Sequence, residues 1–182
     1  MNLKRFLYNN EIQQLLEDNN LDDVYWEYAN LGGDVSELTM FFIRNNIDLL
    51  NYLTFIPESA YWNTDVKNIE IPSNIKSIHK YAFGECDSLK EVIIYDGLTV
   101  IEEFAFYGCE NLISIRLPET LESIGRLAFR DNYNLRRVYI PSKVSFIGSY
   151  AFKDCDELII QCEKGSYAQR YAHENNIEYE LI

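Results

Sequence analysis

Between Ile69 and Cys155 one phrase is written four times at a constant step of 23 residues. The Ala-Phe pairs fall at Ala82-Phe83, Ala105-Phe106, Ala128-Phe129 and Ala151-Phe152. Ile78, Ile101, Ile124 and Ile147 keep the same step, as do Leu89, Leu112, Leu135 and Leu158. A further column reads Cys86, Cys109, Asn132, Cys155. A fixed period of this length marks stacked units, none of which can bury its apolar face alone. The fold class expected is therefore α/β: a solenoid with a parallel sheet, capped at both ends.

Each unit resolves into three pieces. Leu112-Ile113-Ser114-Ile115-Arg116-Leu117 ends in an alternation of apolar and polar positions, which reads as a strand. Pro118 stops it, as Pro72 and Pro141 do in their units, because proline cannot donate to a sheet ladder. Leu121 and Ile124 turn inward, and Ala128-Phe129 is expected to open a short helical turn. Stacking then aligns strands near 69–71, 92–94, 115–117 and 138–140, with a fifth at Leu158 to Cys162, two residues early. Small thiols in one repeat column suit a packed core better than a metal site, and Asn132 can replace them by bonding the turning backbone.

The flanks lack the repeat. Residues 1–65 are expected to form a small acidic helical domain that caps the stack, 66–162 the solenoid and 163–182 a C-terminal cap. Leu3, Phe6, Leu7, Ile12, Leu15 and Leu16 have near-helical spacing. A second helix is expected from Leu21-Asp22-Asp23 to Gly32-Gly33, and a third capped by Asp34 or Ser36 along Leu38, Phe41, Phe42 and Ile43. Ile47 to Phe55 would supply a short fourth. At the other end, Ser166 caps a helix through Tyr167, Ala168, Tyr171 and Ala172, and the alternation from Ile177 to Ile182 reads as a last strand.

The phrase Ile-Pro-x-x-Val/Ile-x-x-Ile-x-x-x-Ala-Phe-x-x-Cys-x-x-Leu resembles the BspA-type, or treponemal-type, leucine-rich repeat. Its closest copies run from Ile71-Pro72 to Leu89 and from Ile140-Pro141 to Leu158. The stretch Gly165-Ser166-Tyr167-Ala168-Gln169-Arg170-Tyr171-Ala172-His173-Glu174-Asn175-Asn176 also looks like the usual ending of such arrays. The resemblance covers about residues 67–182. It implies a curved right-handed solenoid with the parallel sheet on its concave side, and relatives that are often surface proteins binding other proteins.

No catalytic constellation is legible. The two histidines, His79 and His173, lie in the first repeat and the C-terminal cap, too far apart for a shared metal. His79 shares its column with Glu102, Gly125 and Gly148, which reads as a tolerant surface position. Gly32-Gly33 lacks the Lys-Ser/Thr of a phosphate loop. A non-enzymatic chain without cofactor or metal is expected. The basic start, Lys4-Arg5, is not followed by the apolar core of a leader, so a cytoplasmic setting is expected, with no membrane span.

Two surfaces are candidates for a protein partner. On the concave sheet face the positions between buried ones give Glu70, Ile93, Arg116 and Tyr139, flanked by Lys90, Arg136 and Arg137. Tyr and Arg there suit interface hot spots. The other surface follows from charge. The net charge is −13, and residues 1–65 hold 3 Lys/Arg against 11 Asp/Glu, so −8 of it lies there. That excess repels nucleic acid but attracts a basic partner. Asp18, Asp22, Asp23, Glu27, Asp34 and Glu37 could imitate a phosphate field and occupy the basic groove of a nucleic-acid enzyme such as a defence nuclease, as phage-type inhibitors do. Surface adhesion is a third possibility.

Overall fold

The structure is a computed structural model that describes residues 6, 7, 14, 16, 18, 20–44, 50 and 53–182. Two helices come first, α1 (Leu21–Asn30) and α2 (Val35–Arg44). The strands follow as β1 (Phe55–Ile56), β2 (Asn68–Ile71), β3 (Ser77–Ile78), β4 (Glu91–Ile94), β5 (Val100–Ile101) and β6 (Ser114–Arg116). Then come β7 (Ser123–Ile124), β8 (Arg137–Tyr139), β9 (Phe146–Ile147), β10 (Ile159–Cys162), helix α3 (Tyr167–Glu174) and β11 (Glu178–Leu181).

The two-residue strands make one continuous parallel sheet in the order β1-β3-β5-β7-β9. The longer strands make a second wall, the concave face of this repeat class, in two pieces: β2-β4 and β6-β8-β10-β11. The register is that of the sequence step, with Ile69 beside Val92 and Ile115 beside Val138. The last repeat strand places Ile160 beside Val138, so it comes one residue early rather than two. Where proline follows a strand, its carbonyl accepts from the amide three residues on: Ile75 to Pro72 at 3.1 Å, Leu121 to Pro118 at 3.0 Å and Val144 to Pro141 at 3.1 Å. The chain thus leaves one sheet through a tight turn and enters the other.

The segment expected to be a helical turn is not one. Two residues per coil, four apart, take left-handed backbone angles: Tyr81 and Glu85, Phe104 and Gly108, Leu127 and Asp131, Tyr150 and Asp154, all with φ between 56° and 67°. Such residues interrupt a helix. Alternate amides between them bond outward, to the next coil. Tyr81, Phe83 and Glu85 donate to the carbonyls of Glu103, Ala105 and Tyr107, and the next two coils repeat the set. This amide ladder is a third seam of hydrogen bonds binding coil to coil.

Under it the Ala-Phe columns build the core. The rings of Phe83, Phe106, Phe129 and Phe152 stack at 5.1–5.2 Å, tilted by no more than 10°. The stack extends one coil upstream of the four-fold register, because Tyr61 lies 5.0 Å from Phe83. Phe55–Ile56 pairs with Ser77–Ile78, and Ser59, Tyr61 and Asn63 donate to Lys80, Ala82 and Gly84. The solenoid therefore starts near Phe55, inside the region expected to be helical up to residue 65. Its first coil escapes the sequence pattern because it is spaced by 22 residues, has Tyr61 for Phe and has Thr64 for Cys.

The buried thiols have a common task. Cys86, Cys109 and Cys155 donate to the carbonyls of Tyr61, Phe83 and Phe129 at 2.9–3.1 Å. Asn132 substitutes for them by donating to Phe106 at 2.8 Å and Phe129 at 2.7 Å, although its Oδ1 is buried without a partner. The His79, Glu102, Gly125, Gly148 column is not tolerant. A Cβ at Gly125 would lie 2.5 Å from the Glu102 backbone carbon, and one at Gly148 would lie 2.4 Å from the Arg126 nitrogen. His79 instead stacks on Phe55 at 4.7 Å.

The helices cover the upstream end. Val24, Tyr25 and Tyr28 of α1 and Leu38 and Phe42 of α2 are buried, and Phe6 packs 4.6 Å from Tyr28. Tyr25 bonds Thr39 at 2.8 Å inside this core. The Asp34 carbonyl accepts the amides of Glu37 and Leu38, so Asp34 rather than Ser36 stands at the start of α2. Of the expected fourth helix, residues 45–49, 51 and 52 lie outside the described residues, and Phe55 is in a strand. Most of the first expected helix lies outside them too. At the far end the Ser166 hydroxyl accepts from the Gln169 amide at 3.2 Å, capping α3 as the sequence indicates.

Candidate binding face

The longer-strand wall breaks between β4 and β6. Backbone pairing joins β2 to β4 and β6 to β8, but no ladder joins β4 to β6, while β5 and β7 stay paired behind them. A cleft of about 440 Å³ lies there, between Val92–Asp96 and Arg116–Glu119. The break adjoins the unit that departs from the Ile-Pro phrase. Tyr95 stands where Pro72, Pro118 and Pro141 stand in the other coils, and its free amide donates to Ile71 at 3.0 Å. Gly97 completes this turn at φ +150°, where a Cβ would fall 2.1 Å from the Ser73 carbonyl oxygen. No other residue fits that approach.

The cleft walls combine apolar surface with fixed charge. On one side Ile93 is 38% and Tyr95 50% exposed, and the Tyr95 hydroxyl reaches Glu70 at 3.3 Å. On the other side the Arg116 guanidinium lies 3.8 Å above the Tyr139 ring. Tyr139 donates its hydroxyl to Glu119 at 2.7 Å, and Glu119 also faces Arg116 at 3.4 Å. The Glu119 amide donates to Asp96 at 3.1 Å across the gap. Burial, then the bond to the Glu119 carboxylate, push the Tyr139 phenol up to about 12. It stays a neutral donor and keeps the guanidinium above it flat and oriented.

The register brings the expected column together: Glu70 beside Ile93, and Arg116 beside Tyr139. One expectation of exposure is corrected. Tyr139 is only 6% exposed, because Arg116 covers its ring. Lys90 and Arg137 are exposed, whereas Arg136 is half-buried and paired with Glu157 at 2.9 Å. Sequence reasoning missed Tyr95, which lines the cleft. The signal for Tyr95 was its place in the proline column.

The acidic residues of the first region are less uniform. Asp22 turns toward the solenoid, where its carboxylate takes the Thr54 amide at 3.1 Å as well as the Thr54 hydroxyl. It works as a tether between α1 and the first coil. Asp18 accepts from Gln14, Asp23 from Asn20, and Glu37 from the Tyr28 hydroxyl. Glu27 and Asp34 are exposed.

Among the described residues no cluster of His, Cys, Asp and Glu could hold a metal ion. Burial pushes the thiols up, Cys155 to about 12, so they are not the thiolates that nucleophilic chemistry needs. No described helix is long and apolar enough to cross a membrane.

The repeat geometry decides the family. The model of the BspA-type leucine-rich repeat region matches six copies over residues 39–178, a span that takes in the degenerate coil at Phe55. The chain belongs to the BspA-type leucine-rich repeat family. Among solved structures this repeat protein is similar to a leucine-rich repeat protein of T. pallidum, with 33% identity and a TM-score of 0.56 over 57% of this chain and 50% of that one. A leucine-rich repeat protein of Bacteroides ovatus shares 25% identity at TM-score 0.52, over 72% of this chain and 46% of that one. The pneumococcal vaccine antigen PcpA shares the fold, at 14% identity and TM-score 0.56, over 72% of this chain and 40% of that one. The BspA-type chain thus spans half or less of the length of each. No curated protein matches it. Its fold is the stacked leucine-rich repeat that these solved structures share.

Proposed function

We propose that this BspA-type repeat protein is a non-enzymatic module that binds a protein partner on its concave sheet face, centred on the cleft between β4 and β6. The observation that carries the reading is the pairing of exposed Ile93 and Tyr95 with an arginine stacked over a buried tyrosine across the cleft. Exposed apolar side chains on coils already held together behind the cleft by the short-strand sheet and the amide ladder give up little conformational entropy on binding. Arginine and aromatic groups at the centre of such a patch are the types that dominate interface energetics.

The test compares the wild type with Ile93→Asp and Arg116→Glu in affinity capture from source cells, followed by titration with the recovered partner. Each substitution is expected to weaken binding by about 2 kcal/mol or more, roughly thirtyfold in Kd, with the melting curve little changed. Charge reversal at Asp18, Asp23, Glu27, Asp34 and Glu37 should leave binding intact. The opposite pattern would replace this reading: loss on acidic reversal, steep weakening with salt, and a nucleic-acid enzyme as the recovered protein. That result would favour the inhibitor.

A further inference from the structure

The amide ladder on the turn side has an open end. Coil after coil, three amides at alternate residues donate to the next coil, and the last such set, Leu127, Phe129 and Asp131, donates to Ser149, Ala151 and Lys153. The equivalent amides of the final coil belong to Tyr150, Phe152 and Asp154. No further coil receives them, because the chain turns into α3. The Tyr171 hydroxyl takes up backbone bonding from Phe152 and Ala151. Those of Tyr150 and Asp154 have no partner within the described protein. The same three residues line a cleft of about 810 Å³ between the last coil and the end of α3, bounded by Glu157, Asn175 and Glu178.

We propose that this cleft docks a basic segment of a partner protein, whose backbone carbonyls take up the two open amides of Tyr150 and Asp154. The open amides of Tyr150 and Asp154 offer donors to the carbonyls of a docked backbone. Charge selects the occupant. Asp154, Asp156, Glu157 and Glu178 line the cleft against Lys153. Arg130 approaches Asp154 at 3.7 Å and Arg136 holds Glu157, which leaves Asp156 and Glu178 with no cation among the described residues. Two copies of this acidic end would repel each other, so a basic segment from another protein is favoured over self-association. The surface is separate from the β4–β6 cleft and does not depend on the function proposed for it.

The experiment titrates the full, nitrogen-15-labelled chain with a short synthetic peptide of alternating arginine and valine, and with a glutamate–valine control, following backbone amide shifts. The arginine peptide is expected to move Tyr150 and Asp154 first. The double charge reversal Asp156→Lys with Glu178→Lys, at exposed positions, should weaken it by roughly tenfold while the remaining spectrum stays in place. The proposal is overturned if the shifts gather on Asp18, Asp23 and Glu27 with Tyr150 and Asp154 unmoved, or if neither peptide perturbs these amides. It is overturned equally if the two amides shift with protein concentration alone and the mass doubles, since the occupant would then be a second copy.

Discussion

Phe106→Ala is expected to cost about 3–5 kcal/mol of unfolding free energy. Phe106 is fully buried and lies between two parallel rings, 5.1 Å from Phe83 and 5.2 Å from Phe129. Truncation therefore opens a cavity that both neighbours border, and the coils cannot collapse into it while the amide ladder and the sheet of two-residue strands hold their spacing. In a stacked protein each unit is stable only through its neighbours, so damage to a middle unit weakens two interfaces. Phe152→Ala should cost less. Its ring has one stacked neighbour, Phe129, and an edge contact with Tyr171 at 6.2 Å. Urea unfolding of the two variants measures the difference. Equal losses, or a loss under about 1 kcal/mol for Phe106→Ala, would contradict the ring stack.

Leu112→Ala is expected to cost about 2–5 kcal/mol by the same cavity mechanism. Leu112 is fully buried, and its amide bonds Cys109 at 3.0 Å, fixing the entry into β6. That strand has no ladder to β4, so its place depends on β8 and on the packing of Leu112 beneath it. The substitution should thus loosen the cleft wall that carries Arg116 as well as lower the melting point. Thermal unfolding followed by calorimetry checks the first effect. Exchange of the Ile115 amide checks the second, and an unchanged rate would show that β6 is held in place without Leu112.

Much of the fold was legible because the repeat is written in residue types with one structural use each. The Ala-Phe, Ile and Leu columns sit in the core, the proline column closes the strands, and Ser166 caps the last helix. What escaped had no such mark. Tyr61 and Thr64 hide a coil because aromatic and small polar groups replace Phe and Cys at a step shortened by one residue. The turn between left-handed residues reads as helix because Tyr81, Phe104, Leu127 and Tyr150 are not glycines, and only the bonds between coils hold them at positive φ.

The candidate site was half legible. Alternation along the strands placed Glu70, Ile93, Arg116 and Tyr139 on one face, since side chains on a strand repeat every two residues. It could not show that Arg116 would lie over Tyr139 and bury it, nor that β4 and β6 would part. Those depend on side-chain geometry and on the Tyr95-Asp96-Gly97 turn, which a period count treats as a mismatch. The acidic positions were visible as charge alone. That Asp22 serves as a tether follows from a contact with Thr54, 32 residues away.

Amide hydrogen exchange of the intact protein tests the stacked-coil account most directly. The amides of Tyr61, Phe83, Phe106 and Phe129 all donate to the following coil and should exchange only through the most costly openings of the structure. Those of Tyr150 and Asp154, at the open end, should exchange fast. Fast exchange at Tyr61 would move the start of the solenoid downstream of Phe55, and slow exchange at Tyr150 and Asp154 would mean that the ladder does not end where the coils do.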